Sequence, residues 1–164
     1  VGSLILRKGW DTLIKAFREA NLADARLVII GDGRDRTAFE ALADQRVVLP
    51  GFRANVKDYF QIFDLLVCPS RREAFGRVLI EALDAGTPVV ASDTDGCREI
   101  LARYPGDLFP IDDVAALSAL LRRHHEARTP RVTVDLSQFR IENSGRVLLE
   151  GYADAIARRS LVPR

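Results

Sequence analysis

Leu65-Leu66-Val67-Cys68-Pro69-Ser70-Arg71-Arg72-Glu73-Ala74-Phe75-Gly76-Arg77-Val78-Leu79-Ile80-Glu81-Ala82 reads as a strand, a loop and a helix in succession. Leu65–Cys68 is a short apolar run closed by Pro69-Ser70, and apolar residues return at helical spacing after Gly76. The same alternation extends in both directions. Further strands are expected at Arg26–Ile30, Arg46–Leu49, Pro88–Ala91 and Asp107–Phe109, with Val1–Leu4 as the remnant of a first. Helices are expected at Trp10–Ala20, Arg34–Ala43, Val56–Phe60, Val78–Ala85, Arg98–Leu101 and Val114–Glu126. The strands are apolar on both faces, as in parallel sheets covered by helices on each side. The pattern predicts an α/β, Rossmann-like, doubly wound parallel sheet of about six strands in a single domain. Such sheets bind ligands beyond the carboxyl ends of their strands. Those ends carry Gly2-Ser3, Gly31-Asp32-Gly33, Gly51-Phe52, Pro69-Ser70 and Ser92-Asp93.

The 164 residues suit one domain, and 48% hydrophobic with 29% charged residues is the balance of a globular chain. A net charge of +1 gives no global attraction to nucleic acid, so none is expected as a partner and any basic site must be local. Cys68 and Cys97 follow no metal-ligand spacing and are too few for a disulfide framework, which fits a reduced, cytoplasmic setting. No apolar run reaches membrane-spanning length. Glu126 to Phe139 reads as a polar connection, and Ile141–Arg159 as a closing amphipathic helix with Val147, Leu148, Tyr152 and Ile156 near one face. The opening at Val1, without methionine, reads as a cut into a longer chain. Leu161-Val162-Pro163-Arg164 matches a thrombin-site remnant, so residues 160–164 are read as a tag remnant or a tail outside the fold.

The chemistry concentrates on the loop and helix of the opening stretch. A helix N-terminus leaves N–H groups unpaired and carries the positive end of the dipole, so the amides near Gly76, Arg77 and Val78 can receive a phosphate. Gly76 lets a ligand come close to the backbone. Glu81, one turn further in, is placed to reach a vicinal diol such as a ribose, and Glu73 faces a polar group beyond the phosphates. Each has a plainer account. A Glu just inside a helix is ordinarily a solvated side chain favoured by the dipole, and Glu73 alone would be a loop residue. Their spacing across Phe75-Gly76, followed by Gly86-Thr87-Pro88, argues for the functional account.

Glu73-x7-Glu81 enclosing Phe75-Gly76, then Ala82 and Ala85-Gly86-Thr87-Pro88-Val89-Val90-Ala91-Ser92, resembles the signature of family 4 retaining glycosyltransferases, two-domain enzymes of the GT-B fold. The resemblance runs from Val1 to about Leu120 and more weakly through the final helix. It implies that residues 1–159 are the C-terminal half, which binds a nucleoside-diphosphate sugar, with a UDP-sugar as the first choice. The acceptor would lie mainly on an N-terminal domain outside this chain, to which any peripheral membrane docking would also fall. By the same resemblance Glu73 meets the transferred sugar, and Phe75, Gly76, Arg77 and Val78 present backbone to sugar and diphosphate. Glu81 holds the ribose hydroxyls. Family members commonly show Gly-Arg ahead of Lys-Gly, both cations serving the diphosphate. Here Ser3 takes the arginine's place, Lys8-Gly9 remains, and Arg7 offers a second charge. This version is similar to glucosyltransferases of lipopolysaccharide cores, which implies the cytoplasmic face of an inner membrane.

The resemblance also places Phe52 and Arg53 at the nucleobase, although Phe52 equally suits a core. Gly31-Asp32-Gly33-Arg34-Asp35-Arg36 lacks the third glycine of a dinucleotide fingerprint, which disfavours an NAD-dependent dehydrogenase. Asp95-Gly96-Cys97-Arg98-Glu99 resembles the family's Gly-x-x-Glu turn, with Glu99 as fitted to structure as to function. Arg71 and Arg72 read as solvated loop charges, and His124-His125 as a pair favoured by a helix C-terminus. No metal-binding motif is read from the sequence, and no cofactor is expected. Two rivals stay open: a non-transferring relative such as a nucleotide-sugar epimerase, and an inactive binding module of the same fold. An isolated donor half is expected to bind nucleotide without transferring sugar.

Overall fold

The computed structural model describes residues 1–139. Val1–Val134 form one compact unit, and 135–164 belong to a second, in which Ser137–Phe139 make a 3-10 turn. The expected helix Ile141–Arg159 and the tail 160–164 lie outside the described residues.

A 3-10 turn at Leu6–Lys8 leads into α1 (Trp10–Ala20), and strands then alternate with helices. They are β1 (Leu27–Ile30), α2 (Arg36–Leu42), β2 (Val47–Gly51), α3 (Val56–Phe60), β3 (Leu66–Cys68), α4 (Arg77–Asp84), β4 (Val89–Ser92), α5 (Asp95–Leu101), β5 (Asp107–Phe109) and α6 (Val114–Ala127). All pairings are parallel: β1 with β2, and β4 between β3 and β5. The described residues therefore hold five strands in groups of two and three, rather than about six in one sheet. Val1–Leu4 is not a strand. Its Gly2 and Leu4 N–H groups donate to the Ile30 and Asp32 carbonyls, each at 2.9 Å, so it follows the end of β1 without forming a ladder.

Helix α1 buries Trp10, Leu13, Ile14, Phe17 and Ala20, the i, i+3, i+4, i+7 stripe of a half-covered helix, and it packs against α6. Asn21 closes it in the left-handed region at φ 52°. Asp113 caps α6 by accepting from the Ala116 N–H at 2.8 Å. β4 is buried along its whole length, as the middle strand of a covered sheet must be. Fully burying an aliphatic or aromatic side chain contributes roughly 1.5–3 kcal/mol. Leu4, Ile14, Ile29, Phe39, Val90, Phe109 and Leu117 do so in one cluster, which fixes the strand ends that carry the loops below.

Candidate functional site

Three turns meet beyond β3 and β4. Gly9, at φ 67°, ends the 3-10 turn that carries Lys8, and a Cβ there would stand 2.0 Å from the Pro69 carbonyl oxygen. Only glycine lets this turn press onto the loop after β3. Gly96, in the first turn of α5, is as confined, with Ala74 backbone 2.5 Å from where its Cβ would be. Its N–H donates to the Glu73 carbonyl at 3.2 Å. The Gly96 turn is thus the floor of the Glu73 loop. Glu99, the other residue of that motif, is exposed on the outer side of α5.

Lys8 and Glu73 come together. Lys8 Nζ donates to Glu73 Oε2 at 2.6 Å, with the side chains 22% and 16% exposed. The buried Ser70 hydroxyl donates to the same oxygen at 3.3 Å, and the Gly76 N–H reaches Oε1 at 3.4 Å. Burial acts to raise the Glu73 pKa, but the Lys8 ammonium and these two donors outweigh it and hold the carboxyl below its ordinary value. Glu73 is therefore ionised at neutral pH, with one cation already against it.

Gly76 is the N-cap of α4 at φ 72°, and the helix begins at Arg77. The amides of Arg77 and Val78 are those that a first helical turn leaves without intrahelical acceptors. Gly76, without a side chain, offers them no cap of its own. They open beside the Lys8–Glu73 pair, because Gly76 bonds Glu73 directly. Phe75, next to them, is 49% exposed. Glu81 points along the outer face and pairs with Arg77 at 3.3 Å, an i, i+4 contact with Arg77 itself 81% exposed. Arg7 is exposed, while its carbonyl accepts from the Arg71 N–H at 2.9 Å. Ser3 is exposed too, and its carbonyl accepts from Trp10 Nε1 at 2.9 Å. Phe52 is 72% exposed, which rules out the core alternative, and Arg53 folds back to donate to the Phe52 carbonyl. The backbone and pair interactions join Lys8, Arg7, Glu73 and Gly76. Among the described residues they do not link Phe52, Arg53 or Ser3 directly to that group.

Three arrangements escaped the sequence. Arg71 is not a solvated loop charge: it makes a bidentate pair with Asp11 at 2.8 and 2.9 Å and a bond to Asp112 at 2.8 Å. The thiols of Cys68 and Cys97 are buried below the Glu73 loop, and Cys68 Sγ lies 3.7 Å from Ser70 Oγ. Contact with the Cys68 sulfur, together with burial, pushes the Cys97 thiol up, and the same contact pulls Cys68 down to about 7. His124 is more specifically held than a dipole interaction requires. Its Nε2 meets Asp107 and its Nδ1 meets the Thr129 hydroxyl, both at 2.8 Å, at the far end of α6 from the site. Among the described residues no group of three His, Cys, Asp or Glu is arranged to hold a metal ion, and no helix is long and apolar enough to cross a membrane.

The profile of the glycosyl transferases group 1 matches residues 1–134. An uncharacterized glycosyltransferase of Methanocaldococcus jannaschii is 39% identical over 109 residues, covering 62% of this chain and 28% of its own length. The lipopolysaccharide core biosynthesis mannosyltransferase LpsB of Rhizobium meliloti is 31% identical over 127 residues, or 76% of this chain and 36% of LpsB. Among solved structures, HepE of Anabaena in complex with UDP-glucose superposes with a TM-score of 0.71 at 26% identity, covering 77% of this chain and 38% of that one. The chain thus spans about a third of the length of these proteins. Sequence motif, parallel-sheet architecture and matched profile agree, and the chain belongs to the group 1 glycosyl transferases.

Proposed function

We propose that residues 1–159 are the C-terminal donor-binding half of a retaining, family 4 type hexosyltransferase of the GT-B fold. The donor is a nucleoside-diphosphate sugar, with UDP-hexose first. The observation that carries this reading is the 2.6 Å Lys8–Glu73 pair set against the open N-terminus of α4. A cation, an ionised carboxylate and unpaired amides in one place match a ligand with a diphosphate at one end and sugar hydroxyls at the other. That HepE holds UDP-glucose on a similar fold supports the choice of donor.

In this reading the diphosphate lies over the amides of Gly76, Arg77 and Val78, between Lys8 and Arg7. Phe75 flanks the sugar, and Glu73 accepts from its hydroxyls. Glu81 turns from Arg77 to the ribose, and Phe52 with Arg53 faces the base. When the bond from the anomeric carbon to the diphosphate oxygen breaks, charge builds on the leaving group. In this reading Lys8, Arg7 and the helix N-terminus stabilise that charge, and each such donor contributes roughly 3–4 kcal/mol in comparable sites. Ser3 adds no charge, so Arg7 is the second cation. These groups supply the positive charge that a divalent ion would bring, so donor binding is proposed to be metal-independent. Transfer, to a glycan or lipid-linked acceptor at the cytoplasmic face of a membrane, needs the N-terminal half, and the isolated domain binds without turning over.

Calorimetric titration of UDP, GDP and ADP hexoses in EDTA tests the reading. UDP-hexose should bind best and without added metal. Absence of binding by all three would overturn it, and sugar transfer by this chain alone would overturn the half-site assignment.

A further inference from the structure

We propose that Arg71 is the positioning residue of this site, setting the distance between the turn that carries Lys8 and the loop that carries Glu73. The proposal rests on the donor-site reading above.

A guanidinium has five N–H donors and no acceptor. Here all five are matched. Nε donates to Asp112 Oδ2 at 2.8 Å. Nη1 donates to Asp11 Oδ1 at 2.9 Å and to the Leu6 carbonyl. Nη2 donates to Asp11 Oδ2 at 2.8 Å and to Thr12 Oγ1 at 3.4 Å. The backbone N–H of Arg71 adds a bond to the Arg7 carbonyl at 2.9 Å. No donor is left over for a phosphate, so this arginine acts through other residues and not on the ligand.

Its partners define what it holds. Leu6 and Arg7 are the two residues before Lys8, and Asp11 and Thr12 begin the helix just after it. Glu73 follows Arg71 by two positions on the opposite loop. Asp112 closes the ring from a third side. It accepts from Thr12 Oγ1 at 2.7 Å and stands at φ 62°, a left-handed conformation that a non-glycine residue keeps only when its surroundings determine it. The planar bidentate pair with Asp11 fixes orientation as well as distance, which an ammonium at this position would not do. The 2.6 Å approach of Lys8 to Glu73 is therefore held from the Arg71 side of both segments.

A double-mutant cycle in this chain tests the proposal, with UDP and uridine titrated into the parent, Arg71→Lys, Lys8→Met and the double variant. If Arg71 works by placing Lys8, Arg71→Lys weakens UDP about tenfold beside Lys8 and less than about twofold beside Met, since residues acting through one another are not additive. Uridine, which lacks the diphosphate, should stay within about twofold throughout, on the same grounds. Equal losses of UDP in both backgrounds, a matching loss of uridine, or no loss would each overturn the proposal. If Arg71→Lys does not fold by circular dichroism, Asp112→Asn takes its place; it removes one arm and keeps the Asp11 pair, and the same cycle applies. A parent that binds no UDP refutes the donor reading and this proposal with it. A parent that binds UDP as tightly as a folded Arg71→Lys refutes the proposal alone.

Discussion

Lys8→Met removes the cation of the site and keeps most of the side chain's length, so its effects separate into two measurable parts. The first is stability. The pair is neither fully buried nor surface-exposed, at 22% and 16%, so its loss falls between the near-zero value of exposed pairs and the 3–5 kcal/mol of wholly buried ones. Ser70 and Gly76 still bond Glu73, which points to about 1.5–2 kcal/mol. For a chain of this size that lowers the Tm by roughly 3–8 °C. The second is affinity. A hydrogen bond to a charged group contributes about 1.5–3 kcal/mol, so UDP should bind roughly 10- to 150-fold more weakly. Uridine should be unaffected. Differential scanning calorimetry reads the first and isothermal titration the second. A variant that loses the expected stability yet binds UDP within twofold of the parent would show that Lys8 serves the fold and not the ligand.

Glu81→Ala should weaken UDP by several-fold and leave 2′,3′-dideoxy-UDP unchanged, measured by titration; equal losses with both ligands would exclude the ribose contact. Thermal stability should fall with acid. Hydrogen bonding to Arg71 is the chief reason Asp112 is depressed, and for Asp11 and Glu73 the basic partners outweigh a burial that acts to raise them. Such groups stabilise fully above their ordinary values, 3.8 for Asp and 4.5 for Glu, and lose that contribution as pH drops through the depressed folded values. A pH series of melting temperatures should be flat from neutral to about pH 5 and decline below about pH 4; a rise between pH 5 and 3 would contradict the assignment. Cys68 and Cys97 are 4% and 0% exposed, so an aromatic disulfide reagent should label them slowly in the native chain and at once in guanidinium. Fast native labelling would show that the floor of the Glu73 loop opens readily.

Much of the fold is written in local pattern. Trp10–Ala20, Val56–Phe60 and Asp107–Phe109 have the boundaries that periodicity and turn residues predict, because each is bounded by short-range signals such as Asn21 and Gly106. α5 starts three residues earlier than expected, at Asp95: the segment from Asp95 reads as a turn in sequence, whereas Gly96 lies in the first turn of the helix, confined by Ala74. Val1–Leu4 does not form a strand: it runs past the end of β1, its N–H groups bonding Ile30 and then Asp32 beyond it. The site is partly legible for a similar reason. Arg77 and Glu81 are one helical turn apart, and their pairing follows from spacing. Lys8 and Glu73 are 65 positions apart, and Arg71 is 60 from Asp11 and 41 from Asp112. Residue type named Lys8 and Glu73 through the motif, but Arg71 has no periodic relation to its partners. Its role is decided wholly by which turns the fold brings together.

The central claim, that the N-terminus of α4 and the Lys8 turn hold a nucleoside diphosphate, is tested most directly by following backbone amide resonances of this chain during a UDP titration. The largest shifts should fall on Gly76, Arg77, Val78 and Lys8, with smaller ones at Phe52 and Glu81. Saturable shifts confined to another surface, such as the His124 end of α6, or no saturable shift at all, would contradict it.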